Sequence, residues 1–560
     1  GFKAYNNWRN YALSVRLVRE LFSVKGEVTR NFDNTEGPKQ YKVISTLPWK
    51  LQYTLDDGES WTDATANTVI DDWISFDKVS GNGSGELQTV TATVKEAEGD
   101  AESITIDHDK NLRDASTRGT EDAPFDLSMY DIYGAPNAGG ANTANSYVIS
   151  APGWYAFPLV YGNAIKNGTD NTAAYQNTGG TLNTFLKADG DGMNSPYIEG
   201  VTSVYPLWED VKDFALIADG GCTLLSQAQA AGKGLTACNC GYVMFEVKKD
   251  NLTQGNAVIA AHNGENVVWS WHIWVTDNDL KPVTVKNKDN TFNRGTLPLC
   301  LGWVDESTTV TTTGYGAKSL RIRFAQTENS TILDEIEKTA IRKDHKTVMT
   351  DIKGSAPYYQ WGRKDPFIRG NYTEKRELKE EESEYSIHSS ITEPISKVNE
   401  QPTLAVAIKN PATFYIGDAS YHSWLSQRNY NLWSAKATTY GTSADGYKTA
   451  PVKTVYDPCP AGYQVPQGDA FTGLTKKNAY SDGINFNTGN GGTIYLPFIG
   501  SRFRDNGNFV NMGSTTDLWT AVNALNSYEA YAFQILADKT INAVHPSYIA
   551  HAIAIIPAVE

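Results

Sequence analysis

Seven aromatic residues in the C-terminal part of this chain have the type and spacing for ligand recognition. Tyr358, Tyr359, Trp361, Tyr421, Trp424 and Trp433 precede a Pro-Cys-Pro turn at 458–460, and Trp519 follows it. Flat aromatic faces stack on sugar rings and anchor protein interfaces. Tyr359, Trp361, Trp424, Trp433 and Trp519 are therefore the expected binding residues. The competing reading places most of these rings in the core.

Other candidates carry less chemistry. Asp189-Gly-Asp-Gly192, followed by Asn194, matches the first half of a calcium loop, but no bidentate Glu follows at the required position. A turn rich in Asp and Gly is the better reading. Cys238-Asn-Cys240 with Cys222 could start a zinc site, yet the nearest histidine, His262, lies well beyond the usual ligand spacing. Buried small hydrophobes or one local disulfide are the expectation for these thiols. His272 sits inside a Trp-rich strand pattern and is expected to pack rather than act as a base. No Gly-x-Ser-x-Gly elbow, His-Glu-x-x-His or P-loop occurs. Paired carboxylates for glycoside cleavage depend on spatial separation, and nothing in the residue order nominates a pair. The chain is expected not to be an enzyme, with no catalytic residue, metal ligand or cofactor.

The elements that position these residues begin with Asp457-Pro-Cys-Pro-Ala-Gly-Tyr-Gln-Val-Pro466. Its three prolines fix φ and restrict the residues before them, so the segment is stiff. The following Gln467–Leu474 stretch predicts a helix start with Phe471 and Leu474 facing inward. Val267-Val-Trp-Ser-Trp-His-Ile-Trp-Val-Thr276 is a strict alternation. It puts Trp269, Trp271, Ile273 and Val275 on one face, and Val268, Ser270, His272 and Trp274 on the other. A strand with Trp on both faces is expected to be covered on both. Ala12–Val18 and Leu87–Val94 alternate similarly. The better helical candidates are Leu182–Ala188, Leu207–Ile217 and Ile332–Lys343.

The 560 residues exceed one ordinary domain, at roughly 100–200 residues each. Hydrophobic content of 40% and charged content of 20% describe a globular protein, and 30 Tyr with 14 Trp suit pleated, half-buried surfaces. The net charge of -15 argues against nucleic acid, which demands a basic face. No run of about 18 apolar residues predicts a transmembrane helix. Three consecutive parts are expected: 1–118, 119–345 and 346–560, with a polar linker over Asn111–Pro124.

Three resemblances attach to these parts. Trp73-Ile-Ser-Phe76, Ser80-Gly-Asn-Gly-Ser-Gly85 and the Thr/Val strand resemble the BACON family of immunoglobulin-like modules, although the insertion at Trp61 lengthens the usual pattern. Thr143-Ala-Asn-Ser-Tyr-Val-Ile, Pro158-Leu-Val-Tyr-Gly-Asn-Ala and Trp269–Thr276 resemble a central region of fimbrillin-family and fimbria-associated surface lipoproteins of Bacteroidota. Relatives in that family often carry Cys where Ser146 stands, so a thiol role is absent here. Tyr358-Tyr-Gln-Trp-Gly-Arg, the Pro-Cys-Pro motif, Tyr495-Leu-Pro-Phe-Ile-Gly-Ser-Arg and Leu518-Trp-Thr-Ala resemble the FISUMP-type domain, itself similar to the C-type-lectin-like and formylglycine-generating-enzyme fold. Relatives often place an Arg where this chain has the apolar Ala550–Ile556 strand.

The resemblances imply a mainly β protein: an Ig-like β-sandwich, a central β-sandwich and a C-terminal α+β lectin-like domain. They imply an extracellular, lipid-anchored protein on the outer surface, its lipidated Cys lying upstream of Gly1. Calcium-dependent sugar binding lacks its Glu-Pro-Asn and Trp-Asn-Asp signatures here, and formylglycine chemistry lacks a second cysteine beside Cys459. The implied function is adhesion or ligand binding, with a surface glycan or protein and pilus subunits as expected partners. The alternative is a glycan-binding accessory or enzyme of polysaccharide uptake.

Overall fold

The computed structural model describes residues 21–32, 38–95, 102–211, 221–291, 293–313, 318–342, 347–372, 377–420, 422–427, 429–437, 448–475, 485–488, 493–524 and 528–560. The chain is mainly β, as its composition predicts. It forms two compact units, residues 1–105 with 309–351 and residues 106–308 with 352–560. The expected alternation over Ala12–Val18 lies outside the described residues.

In the first unit, two sheets share one core. One sheet orders Phe22–Lys25, Lys39–Ser45, Leu87–Val94 and Ile74–Phe76, all antiparallel. The other runs Thr29–Phe32, Thr331–Arg342, Lys318–Glu328, Trp49–Thr54 and Thr62–Asp63. Period-2 alternation turns Tyr41, Val43, Val90 and Ala92 inward from the first sheet, to meet Trp49, Leu51, Ile322 and Phe324 from the second. Phe324 packs against Tyr41 and Trp49 with ring centroids 5.6 and 5.9 Å apart. A Cβ on Gly81 would lie 2.2 Å from Trp49 Nε1, so the Ser80–Gly85 turn needs glycine there to clear the indole.

The Lys318–Glu328/Thr331–Arg342 hairpin belongs to this first unit, so the three consecutive parts expected from the sequence give way to a discontinuous arrangement. Ile332–Lys343 was expected as a helix; its described residues are strand. Thr331, Ile332, Ile336, Thr339 and Ile341 are β-branched and suit the pleat. Arg321 pairs across the strands with Glu337, and Arg323 with Glu335. Leu182–Ala188 is likewise not helical, and Leu207–Glu209 ends a strand, Ser203–Glu209; residues 212–217 lie outside the described residues.

In the second unit, the Asn266–Val275 strand lies between Ser146–Ile149, which is parallel to it, and the antiparallel Gly255–Asn263. Both faces are covered: Trp269 meets Tyr161 at 5.0 Å and Trp271 meets Phe157 at 4.9 Å, while Trp274 Nε1 donates to Trp303 O on the other face. A second sheet orders Phe125–Asp126, Gly153–Pro158, Tyr242–Val247 and Thr223–Leu225. A third joins Val283–Lys286 and Asn293–Thr296 to Ala558–Val559 and Tyr463–Gln464, so segments expected in separate domains share one sheet. A large continuous core runs through this unit, and a smaller cluster around Trp208 and Val258 lies apart from it.

The stiff Asp457–Pro466 segment is the seam. Asn145 Nδ2 donates to Val455 O and Asp457 O, and Ser146 Oγ donates to Pro458 O at 2.6 Å. The Asp457 carboxylate accepts from Cys459 N and Val465 N, closing the turn on itself. Lys453 Nζ donates to the carbonyls of Cys459, Pro460 and Tyr463. The following Gln467–Leu474 stretch turns Phe471 and Leu474 inward as expected. It does so through successive turns, with Ala470 N on Gln467 O and Leu474 N on Phe471 O, and not as a helix.

Candidate functional site

The five aromatics expected to bind ligand are brought together in the interior. Tyr359, Trp361, Trp424, Trp433 and Trp519 are each at most 1% exposed. Trp519 Nε1 donates to Tyr359 O, Trp424 Nε1 to Trp361 O, Trp433 Nε1 to Arg363 O and Trp361 Nε1 to Thr520 O. A buried indole N–H needs an acceptor, and the 359–363 backbone supplies three of them. The rings are staples that hold this segment in the core, which corrects their expected role as a binding surface. A cavity of about 20 Å³ lies beside Trp424, Arg363 and Lys364, room for about one water and for no sugar ring. Tyr358 is buried with its hydroxyl on Ile499 O, and Tyr421 lies outside the described residues.

The charged residues of the same segment are buried and satisfied. The Arg363 guanidinium donates to the carbonyls of Asn410, Pro411 and Thr413 and lies over Phe367, Tyr415 and Trp424. Lys364 Nζ meets Asp365 at 2.6 Å and Ser270 O at 3.0 Å, over the Trp269 ring. Burial pulls the Lys364 pKa down, against the pull of Asp365.

Sequence reasoning missed one serine–histidine contact, because its members are 126 residues apart. Ser146 Oγ lies 3.0 Å from His272 Nδ1, and His272 Nε2 lies 2.8 Å from Asn256 Oδ1. Asn256 Nδ2 donates to Asp210 and to Gly302 O, so its oxygen faces the ring and assigns the His272 proton to Nε2. Nδ1 is then an acceptor that the Tyr359 hydroxyl reaches at 3.4 Å, while the Ser146 proton is directed to Pro458 O. Burial lowers the His272 pKa to about 3 and keeps the ring neutral. The arrangement has the order of a triad, but Ser146 and His272 are 1% exposed and Asn256 is fully enclosed. In this conformation it is a structural polar network, continued by the Asp210–Arg369 ion pair at 2.9 Å.

The accessible candidate lies at the second sheet. Thr117, residues 119–121, 152–154 and 246–250 line an open groove of about 460 Å³, within the roughly 300–1,000 Å³ of small-ligand sites. Its floor is a close approach of two backbone segments. Arg118 N donates to Pro152 O at 2.8 Å, and Trp154 N donates to Arg118 O at 2.9 Å. A Cβ on Gly153 would lie 1.8 Å from Arg118 O, and one on Gly119 would lie 2.3 Å from Trp154 O. Both positions therefore demand glycine. Trp154, half-buried against the core, stands directly across the strand pair from Glu246. Glu121, Lys248, Lys249 and Asp250 form an exposed polar rim. One wall is pinned: Thr120 and Ala123 exchange backbone hydrogen bonds, and Lys233 Nζ donates to Glu121 O at 2.6 Å. Sequence reasoning passed over this site because a single Trp beside two separated glycines has no motif.

The Asp189–Gly192 segment is the tip of a hairpin closed by a Leu186–Gly192 bridge. Asp189 Oδ1 accepts from Asp191 N, and its Oδ2 meets Lys187 at 3.0 Å. All five cysteines are free. Burial pushes the Cys238 and Cys300 thiols up to about 12. Among the described residues, no group of three His, Cys, Asp or Glu side chains converges as a metal site, and no helix is long and apolar enough to cross a membrane. Comparison with known proteins found no family model, no curated protein and no solved structure that matches the chain.

Proposed function

We propose that this chain is an adhesion or ligand-binding lipoprotein of the bacterial cell surface, associated with fimbriae. Its first unit would contain the BACON-like module, and its second would combine the fimbrillin-associated region with the FISUMP-type, lectin-like domain. The observation that carries the reading is the groove at Trp154. It is an accessible, preformed depression with one aromatic and a polar rim, on a unit whose nine other tryptophans are buried. A rigid floor lowers the ordering cost of binding. The negative net charge fits an extracellular partner other than nucleic acid.

The test pairs a pull-down against purified pilus subunits with adherence of protein-coated beads to bacterial and host cells. Capture of a pilus subunit or specific adherence supports the reading. Blank results in both assays under native conditions overturn it. The second reading, a glycan-binding accessory of polysaccharide uptake, is favoured by the carboxylates Glu121, Glu246 and Asp250 at the same groove. It predicts binding to soluble polysaccharide without adherence to cells.

A further inference from the structure

We infer that the Trp154 groove is a saccharide subsite that takes a neutral glycan, one sugar ring lying against the indole. The inference rests on the ligand-binding reading above and names the ligand class of that site. Three observations carry it.

The first is the pairing of surfaces. Trp154 is held at its base by the core and is partly open toward the groove, and Glu246 stands opposite it on the neighbouring strand. A sugar ring has an apolar C–H face and a polar edge. An indole beside a carboxylate answers both, the ring plane by stacking and the carboxylate by accepting from hydroxyls. Hydrogen bonds to charged groups are stronger than neutral ones.

The second is charge. Glu121, Glu246 and Asp250 oppose Lys248 and Lys249 around the rim, so carboxylates outnumber amines. The chain as a whole is negative. An anionic glycan or a phosphate gains little from a rim whose carboxylates offset its amines, whereas an uncharged polyol finds acceptors and donors side by side.

The third is shape. The groove opens to solvent with a volume of about 460 Å³, and Gly119 and Gly153 let two main-chain segments come together in its lining. A sugar ring fits that volume, whereas the cavity beside Trp424 has no room for one.

The experiment prints neutral gluco-, manno-, galacto- and xylo-oligosaccharides beside sialylated and sulfated glycans and probes them with the wild-type protein, Trp154→Ala and Trp154→Phe. The expected result is binding to at least one neutral series, weakened about tenfold or more by Trp154→Ala and largely retained by Trp154→Phe, with the melting temperatures of both variants close to wild type. Glu246→Gln, which keeps the shape of the rim, serves as the second variant and is expected to weaken the same series. Overturning results are a blank neutral series, a preference for the anionic glycans, or neutral binding that neither Trp154→Ala nor Glu246→Gln changes. Cell adherence that persists while the neutral series is blank rejects the saccharide subsite and leaves the adhesion reading standing. Loss of adherence and of pilus capture in the wild type rejects the adhesion reading itself.

Discussion

Lys453 Nζ lies 3.7 Å from Asp457 Oδ1, and neither side chain reaches solvent. The pair closes the Asp457–Pro466 turn from within: the ammonium holds three carbonyls of the turn and the carboxylate holds two of its amides. Burial raises the Asp457 pKa, and the Lys453 charge opposes that rise. Removing one partner of such a pair leaves a buried charge uncompensated, at a cost of about 3–5 kcal/mol. Lys453→Met and Asp457→Ala are each expected to destabilise the second unit by that order. The double variant is expected to cost less than the sum. Urea denaturation of the three variants measures it, and strict additivity would refute the coupling.

The interior aromatics give a prediction opposite to that for a binding surface. Trp424→Phe keeps most of the ring volume but removes the donor to Trp361 O. An unsatisfied buried acceptor costs about 1–3 kcal/mol. Stability is expected to fall by that order while binding at the Trp154 groove stays unchanged. A variant that loses binding at full stability would restore Trp424 to the ligand site.

Acid is expected to weaken the fold through buried histidines. Burial lowers His272 to about 3, His262 to about 4 with His388 adding to the effect, and His551 to about 4 with Arg504 adding to it. The unfolded chain titrates near about 6.5, so between that pH and the folded values it binds more protons than the folded chain. Stability is whole above about 6.5 and declines as the pH falls toward 4. For His272 alone the slope approaches about 1.4 kcal/mol per pH unit. Denaturation midpoints from pH 7.5 to 4.5 measure it, and a flat profile would contradict these burials.

His108 has the opposite sign. Burial disfavours its charge, but Asp277, 2.6 Å from Nδ1, and Asp305 outweigh that and raise its pKa. Its contribution is full below the unfolded value and is lost as the pH rises through the raised folded value. His108→Gln is expected to lower stability at pH 6 by more than at pH 8.5.

Thiol titration checks the cysteines. With all five thiols free and their pKa values raised by burial, the native protein is expected to react slowly with a thiol reagent at pH 8. In guanidinium without reductant it should release five thiols. A count of three would instead identify one disulfide.

Leu87–Val94 and Asn266–Val275 were legible because alternation is a property of adjacent residues, and the backbone pleat converts it directly into two faces. Phe471 and Leu474 face inward as expected, but through successive turns and not the helix their spacing suggested, and the mainly β class followed from composition. The Ile332–Lys343 segment misled, since isolated from its partners it offers apolar residues at helical spacing. Only the cross-strand pairs Arg321–Glu337 and Arg323–Glu335 and the neighbouring Lys318–Glu328 strand make the extended form the better one. The sequence alone also determined that many large aromatics exist, but not which side of the surface they take. That was decided by the tertiary structure, where the carbonyls of Tyr359, Trp361 and Arg363 lie within reach of indole donors distant in sequence. The same holds for Ser146 with His272 and for the Gly119–Gly153 approach that floors the groove. Such contacts depend on distances between segments far apart along the chain, and a linear pattern of residue types does not encode them.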